Sequence, residues 1–143
     1  MKLVIFGLTV SSSWGNGHAT LWRGLCKWLG RQGHEVTFYE KDAPYYASHR
    51  DLLNPENYTL RLYSDWDEIH ASAADQVRGS DAAVVTSYCP DAQNASDVVL
   101  SSPVVKVYYD LDTAVTLENF KANARVDYIP RENLAGIVFH LRG

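Results

Sequence analysis

Cysteine is nearly missing from this chain: Cys26 and Cys89 are the only two in 143 residues. Two thiols cannot build a disulfide framework, nor a four-ligand zinc site without clustered histidines. Reduced thiols in a cytoplasm are the simplest reading. Long apolar runs are missing too. None approaches the length of about 18 residues that crosses a bilayer, so no integral membrane segment is expected. Low-complexity tracts, internal repeats and linkers are absent, as is any Gly-Lys-Ser/Thr, which excludes a P-loop. His34, His49, His70 and His140 show no partner spacing, so no metal is expected. Acid is absent from the first 34 residues, where Lys2, Arg23, Lys27 and Arg31 stand alone.

What remains is ordinary globular material, 46% hydrophobic and 21% charged. The length suits a single domain spanning residues 1–143. All seventeen acids fall after residue 34, and the net charge is −4. An acidic total argues against a nucleic-acid partner, which needs a basic surface. The basic first segment favours a local anion or simply forms a solvated helix face. Lys2–Phe6 is too short for a signal-peptide core and has no cleavage site close behind it, so it reads as a buried strand. The sequons at Asn57 and Asn94 then carry no meaning.

Apolar residues from Ala19 to Leu29 follow helical spacing, with Trp22 and Trp28 on the apolar face. Asn16 is the expected N-cap, and Gly30 or Gly33 the expected stop. Strand character returns at 35–39, 58–63, 81–86, 104–109 and 136–141, and helical character at 67–77, 92–100 and 114–124. Strands alternating with helices predict an α/β, Rossmann-like three-layer fold with a mainly parallel sheet of about six strands.

In such a sheet, ligands gather at the carboxyl ends of the strands. Those ends hold Thr9–His18, Glu40–Tyr46, Ser64–Asp67, Ser87–Asp91 and Asp110–Thr113, rich in aromatic, hydroxyl and acidic side chains. The turns at the opposite edge are bland. A polar, ring-shaped ligand would need such an edge.

Within it, Gly15-Asn16-Gly17 lets a ligand approach the backbone and presents free N–H groups. It is not the dinucleotide fingerprint. Thr20 replaces the third glycine, and Gly15 comes too late after the strand for the tight turn. Glu40 would suit a ribose hydroxyl, which keeps a nicotinamide-dependent oxidoreductase as a rival. His18, in the first turn of the helix, is favoured as a neutral ring by the dipole and can act as a general base. The pairs Asp65-Trp-Asp67, Asp110-Leu-Asp112 and Glu40-Lys-Asp42 are no more than composition supplies, roughly two by chance, so their spacing implies nothing. Asp110 and Asp112 stay candidates because they follow the fifth strand. Cys89 has no histidine paired with it and reads as an inert thiol.

The run Phe6-Gly-Leu-Thr-Val-Ser-Ser-Ser-Trp-Gly-Asn-Gly-His-Ala-Thr-Leu-Trp-Arg-Gly-Leu-Cys26 resembles the start of GT-B glycosyltransferases, as does Gly33-His-Glu-Val-Thr-Phe38. The resemblance is nearest to their CgeB-like bacterial group, related to spore-maturation proteins. Asp42–Tyr46, Tyr63–Glu68, Thr86–Pro90 and Tyr109–Thr113 are similar to that group as well. The resemblance implies the N-terminal, acceptor-side half of a two-domain enzyme that moves a sugar from a nucleotide-sugar donor to a sugar or glycan acceptor. It implies no cofactor or metal. His18 matches the position that serves as acceptor base in several such families. Gly15, Asn16, Gly17, Tyr45, Trp66, Tyr88, Asp110 and Asp112 are the expected acceptor-lining residues. The donor-binding half is not among these residues, so the chain alone is expected to transfer no sugar. The face a second domain would cover is also a surface on which a homo-oligomer could form. A non-catalytic ligand-binding or interaction domain is the remaining alternative.

Overall fold

The structure, a computed structural model, describes residues 1–121 and 138–140. Five strands of five to seven residues form the sheet: β1 Lys2–Gly7, β2 Glu35–Lys41, β3 Thr59–Tyr63, β4 Ala82–Thr86 and β5 Val105–Tyr109. A three-residue β6, Val138–His140, pairs with the outer edge of β5. The order is β3-β2-β1-β4-β5-β6 and every pairing is parallel. The fold is therefore the expected α/β one. The expected strand residues 136, 137 and 141, and the helix end at 122–124, lie outside the described residues.

The central strands β1 and β4 are apolar from Leu3 to Gly7 and from Ala82 to Val85 because both of their faces are covered. Alternation then sorts their side chains. Val4, Phe6, Ala83 and Val85 meet Ala73 and Val77 of α3 (Trp66–Arg78) and Ala95, Val98 and Val99 of α4 (Ala92–Leu100). Ile5, Phe38 and Val84 meet Trp22 and Cys26 of α1 (His18–Arg31) on the other face. Cys89 sits in the first cluster and Cys26 in the second, so the sheet separates the two thiols.

Crossovers from β1 and β4 leave toward opposite faces, although these strands are neighbours. That divergence opens a crevice above their carboxyl ends, where the chains of an α/β sheet part.

α1 ends as a Schellman motif: His34 N–H donates to Leu29 O, Gly33 N–H donates to Gly30 O, and Gly33 has φ +81°. Gly33, not Gly30, is thus the stop. Gly30 serves packing instead, since a Cβ there would lie 1.8 Å from Asn57 O. The cap differs from expectation. Gly17 occupies the cap position without a side-chain bond, while Asn16 Oδ1 accepts from Ala19 N–H at 3.1 Å from one residue earlier. Trp28 is exposed, because the buried arc of α1 runs only through Ala19, Trp22 and Cys26. A short helix, α2 (Pro44–Ala47), replaces part of the expected loop, with proline in its first turn. The last helix among the described residues, α5, spans Thr113–Lys121.

Candidate functional site

The β1–α1 loop has two parts. Its first part, Thr9 to Ser12, is buried, and Thr9, Val10 and Ser11 bond to Glu40. The Glu40 carboxylate is 0% exposed and accepts from Thr9 Oγ1 (2.9 Å), Val10 N (2.7 Å), Ser11 N (2.9 Å) and Ser11 Oγ (2.5 Å). Burying a carboxylate is tolerable only when its lone pairs are met in this way. Glu40 is a loop brace and is not available to a ribose.

The second part, Ser13 to Gly17, is the exposed tip. Gly15 has φ +66°, the left-handed region that glycine enters without strain. A Cβ on it would come within 2.9 Å of the Tyr45 hydroxyl, so the glycine also makes room for that ring. Gly17 faces open space, and the Asn16 amide donates to Trp14 O at 3.2 Å. Trp14 stacks on His49, with centroids 4.3 Å apart and planes at 10°. Tyr45 lies 6.2 Å from the same imidazole. Neither Trp14 nor His49 was singled out as a site residue in the sequence, because stacking across two loops leaves no local pattern.

Beyond the tip, His18 opens α1. Its Nε2 lies 3.1 Å from Asp112 Oδ2, with the imidazole largely buried and the carboxylate partly so. Among the described residues, His18 Nδ1 is buried with no hydrogen-bond partner. Tyr88 packs edge-on against the ring at 5.9 Å and holds φ +57°, a conformation costly for an L side chain. Asp112 is held from two sides. Ser87 Oγ donates to Asp112 Oδ2 at 3.2 Å, and Asp112 N–H donates to Asp110 Oδ1 at 2.8 Å. Ser87 Oγ also accepts from Leu111 N–H at 3.0 Å, which knots the end of β4 to the end of β5. The sequence places Ser87 in the right loop, but nothing in it shows the bond to Asp112.

The structure thus brings His18, Tyr88, Asp110 and Asp112 together from α1 and the loops after β4 and β5, with Gly15–Gly17 and Tyr45 beside them. Trp66 is the correction. It is buried against Phe6 and Tyr63, 5.8 and 6.1 Å away, in the core on the α3–α4 face. As the first residue of α3 it turns inward, where its large apolar surface is worth most. Asp65, beside it, caps α3 by accepting from Asp67 N–H at 2.9 Å. Each acid-x-acid pair therefore starts from a carboxylate that bonds its own backbone or a neighbouring loop.

Charges near the edge are matched. Arg23 pairs with Asp51, Arg50 with Asp42 at 2.6 Å, and Lys41 with Asp91 at 3.1 Å. Arg23 Nε also donates to Val10 O at 2.6 Å, which removes it from any anion site in the basic segment. Burial pushes the Cys89 thiol up to about 12, so it stays protonated near neutrality and is no nucleophile. Along the flank of α1 a groove of about 440 Å³ runs past Lys27, Asn54, Asn57 and Tyr58, apart from the predicted residues. Among the described residues, no helix is long and apolar enough to cross a membrane. No protein-family model, curated protein or solved structure matches the chain significantly.

Proposed function

We propose that this domain binds the acceptor of a glycosyl transfer, with His18 receiving the proton of the acceptor hydroxyl and Asp112 orienting His18. One observation carries the reading: Asp112 holds His18 by Nε2 while Nδ1 is buried without a partner among the described residues. The contact assigns the ring hydrogen to Nε2 and leaves the Nδ1 lone pair free to accept. A buried acceptor without a donor calls for explanation, and a substrate hydroxyl supplies one. The place at the β1–β4 crevice and the resemblance of residues 6–26 to the acceptor-side half of GT-B enzymes support it.

In this reading the hydroxyl proton passes to Nδ1. The oxygen bonds to the anomeric carbon of the donor, and the bond from that carbon to the nucleoside diphosphate breaks with its electron pair. A second domain binds the donor. Tyr88, packed edge-on to the largely buried imidazole, has to yield as the acceptor arrives. The nicotinamide reading has lost its ribose carboxylate, because Glu40 is sealed under the loop.

The test supplies nucleotide sugars, a panel of hydroxyl acceptors and a donor-binding domain in trans, with products read by mass spectrometry. Product should form, and His18→Ala should lower its rate by roughly 10²–10⁴-fold without lowering Tm. Asp112→Asn, which keeps the shape and upsets the tautomer, should lower it as well. Turnover unchanged by His18→Ala would remove the base. No product with any donor would leave a ligand-binding domain.

A further inference from the structure

Three large aromatic side chains stand out of the carboxyl-edge loops: Trp14 is 54% exposed, Tyr45 58% and Tyr88 41%. Water-exposed rings along one edge of a sheet mark a surface kept for contact. These rings are organised. His49 lies between Tyr45 and Trp14, face to face with the indole. The Tyr45 hydroxyl occupies the space that Gly15 leaves by lacking a Cβ. From Trp14 the chain runs through Gly15–Gly17 directly into His18, whose ring meets Tyr88. The strip therefore leads along the open loop to the His18–Asp112 pair.

Its charge is as informative as its shape. Lys41, Arg23 and Arg50, the Lys and Arg side chains reaching this edge among the described residues, are each paired with a carboxylate. Asp110 and Asp112 add negative charge that no Lys or Arg among the described residues offsets. Among the described residues a phosphate would meet no spare Lys or Arg and a surplus of carboxylates. A neutral ring bearing hydroxyls meets flat apolar faces for its C–H surface and polar groups at its rim.

We infer that the acceptor is an uncharged carbohydrate ring, free or as a glycoside, seated on Trp14, and not a phosphorylated or nucleotide-like compound. This rests on the acceptor reading above and names the substrate class of that site. Trp14 and Tyr45 act as specificity-determining contacts, while His18 and Asp112 address the hydroxyl.

The experiment reads binding, not turnover, so it can fail independently of the transfer assay. The chain is titrated with p-nitrophenyl and methyl glycosides, and with matched sugar phosphates, while the indole N–H resonances are followed by NMR. The glycosides should bind with Kd on the order of 1 mM and move the Trp14 resonance. The sugar phosphates should bind at least about fivefold more weakly. Trp14→Ala should raise the glycoside Kd about fivefold or more, and Trp14→Phe should restore most of the affinity. Tyr45→Ala is the second variant, with a smaller rise in Kd. Both positions are exposed, so an unchanged thermal melt confirms folding. The inference is overturned by tighter binding of the phosphates, or by glycoside binding indifferent to both variants. It is overturned equally if glycosides leave every indole resonance unmoved at about 20 mM, well above that Kd. Binding as described without any glycosyl transfer would sink the catalytic reading and leave this one standing.

Discussion

The two halves of the β1–α1 loop are held by two carboxylates, and they are held differently. Glu40 grips Thr9, Val10 and Ser11 from a site closed to water. Asp51 grips Ser13 from a half-exposed site, accepting from Ser13 N at 3.2 Å and Ser13 Oγ at 2.7 Å while pairing with Arg23. The chain is continuous, but the physics changes within two residues. The base of the loop is built like core, with its buried hydroxyls and the N–H groups of Val10, Ser11 and Ser12 all met. The tip is built like surface, with a left-handed glycine, exposed rings and bonds that water can replace. In the proposed site, a braced base under an exposed tip holds His18 in place and leaves room for an acceptor beside it.

The sharpest way to break this comparison is to remove the buried brace. Glu40→Ala would strand two backbone N–H groups and two hydroxyls in a dry site. At roughly 1–3 kcal/mol for each unsatisfied group, partly relieved by entering water, a loss of about 4 kcal/mol is expected. Urea unfolding monitored by far-UV CD would measure it. A loss below about 1 kcal/mol would mean that the base of the loop is as replaceable as the tip.

Asn16 tests the border between the halves. Its Oδ1 caps Ala19 N–H at 3.1 Å and its amide ties back to Trp14 O. Asn16→Ala should cost about 1 kcal/mol, the usual worth of such a cap. Asn16→Asp keeps the acceptor and should recover most of that. A Tm series over the two variants checks the order.

The strands were legible because buried parallel strands announce themselves: short apolar runs such as Leu-Val-Ile-Phe and Ala-Ala-Val-Val fit strands covered on both faces. The chemically rich edge of the sheet was legible by elimination, since the opposite turns carry so little chemistry. Relations between loops were not legible. Glu40 looked like a ribose contact because position alone says which edge a carboxylate reaches, and not whether neighbouring hydroxyls will saturate it. Trp66 looked like a lining residue for the same reason, since a helix's first residue can face either way. The meeting of His18 with Asp112 joins residues 94 positions apart, through a register that no local pattern encodes.

Asp51 gives the smallest effect and the finest distinction. The Arg23 guanidinium and the Ser13 hydroxyl hold its carboxyl well below the ordinary carboxylate range. A depressed value means that the folded state prefers the ionised form. Its contribution to stability is therefore complete above the unfolded value of about 4, and fades as pH falls below that toward the folded one. Because the pair is half-exposed, the contribution is screened, and high salt should shrink it further. Urea midpoints of the parent and Asp51→Asn should differ modestly at pH 7 in low salt and converge toward pH 3. A gap that stays constant over this range would show that Ser13 and Arg23 are held by shape and not by charge. The tip would then resemble the base after all.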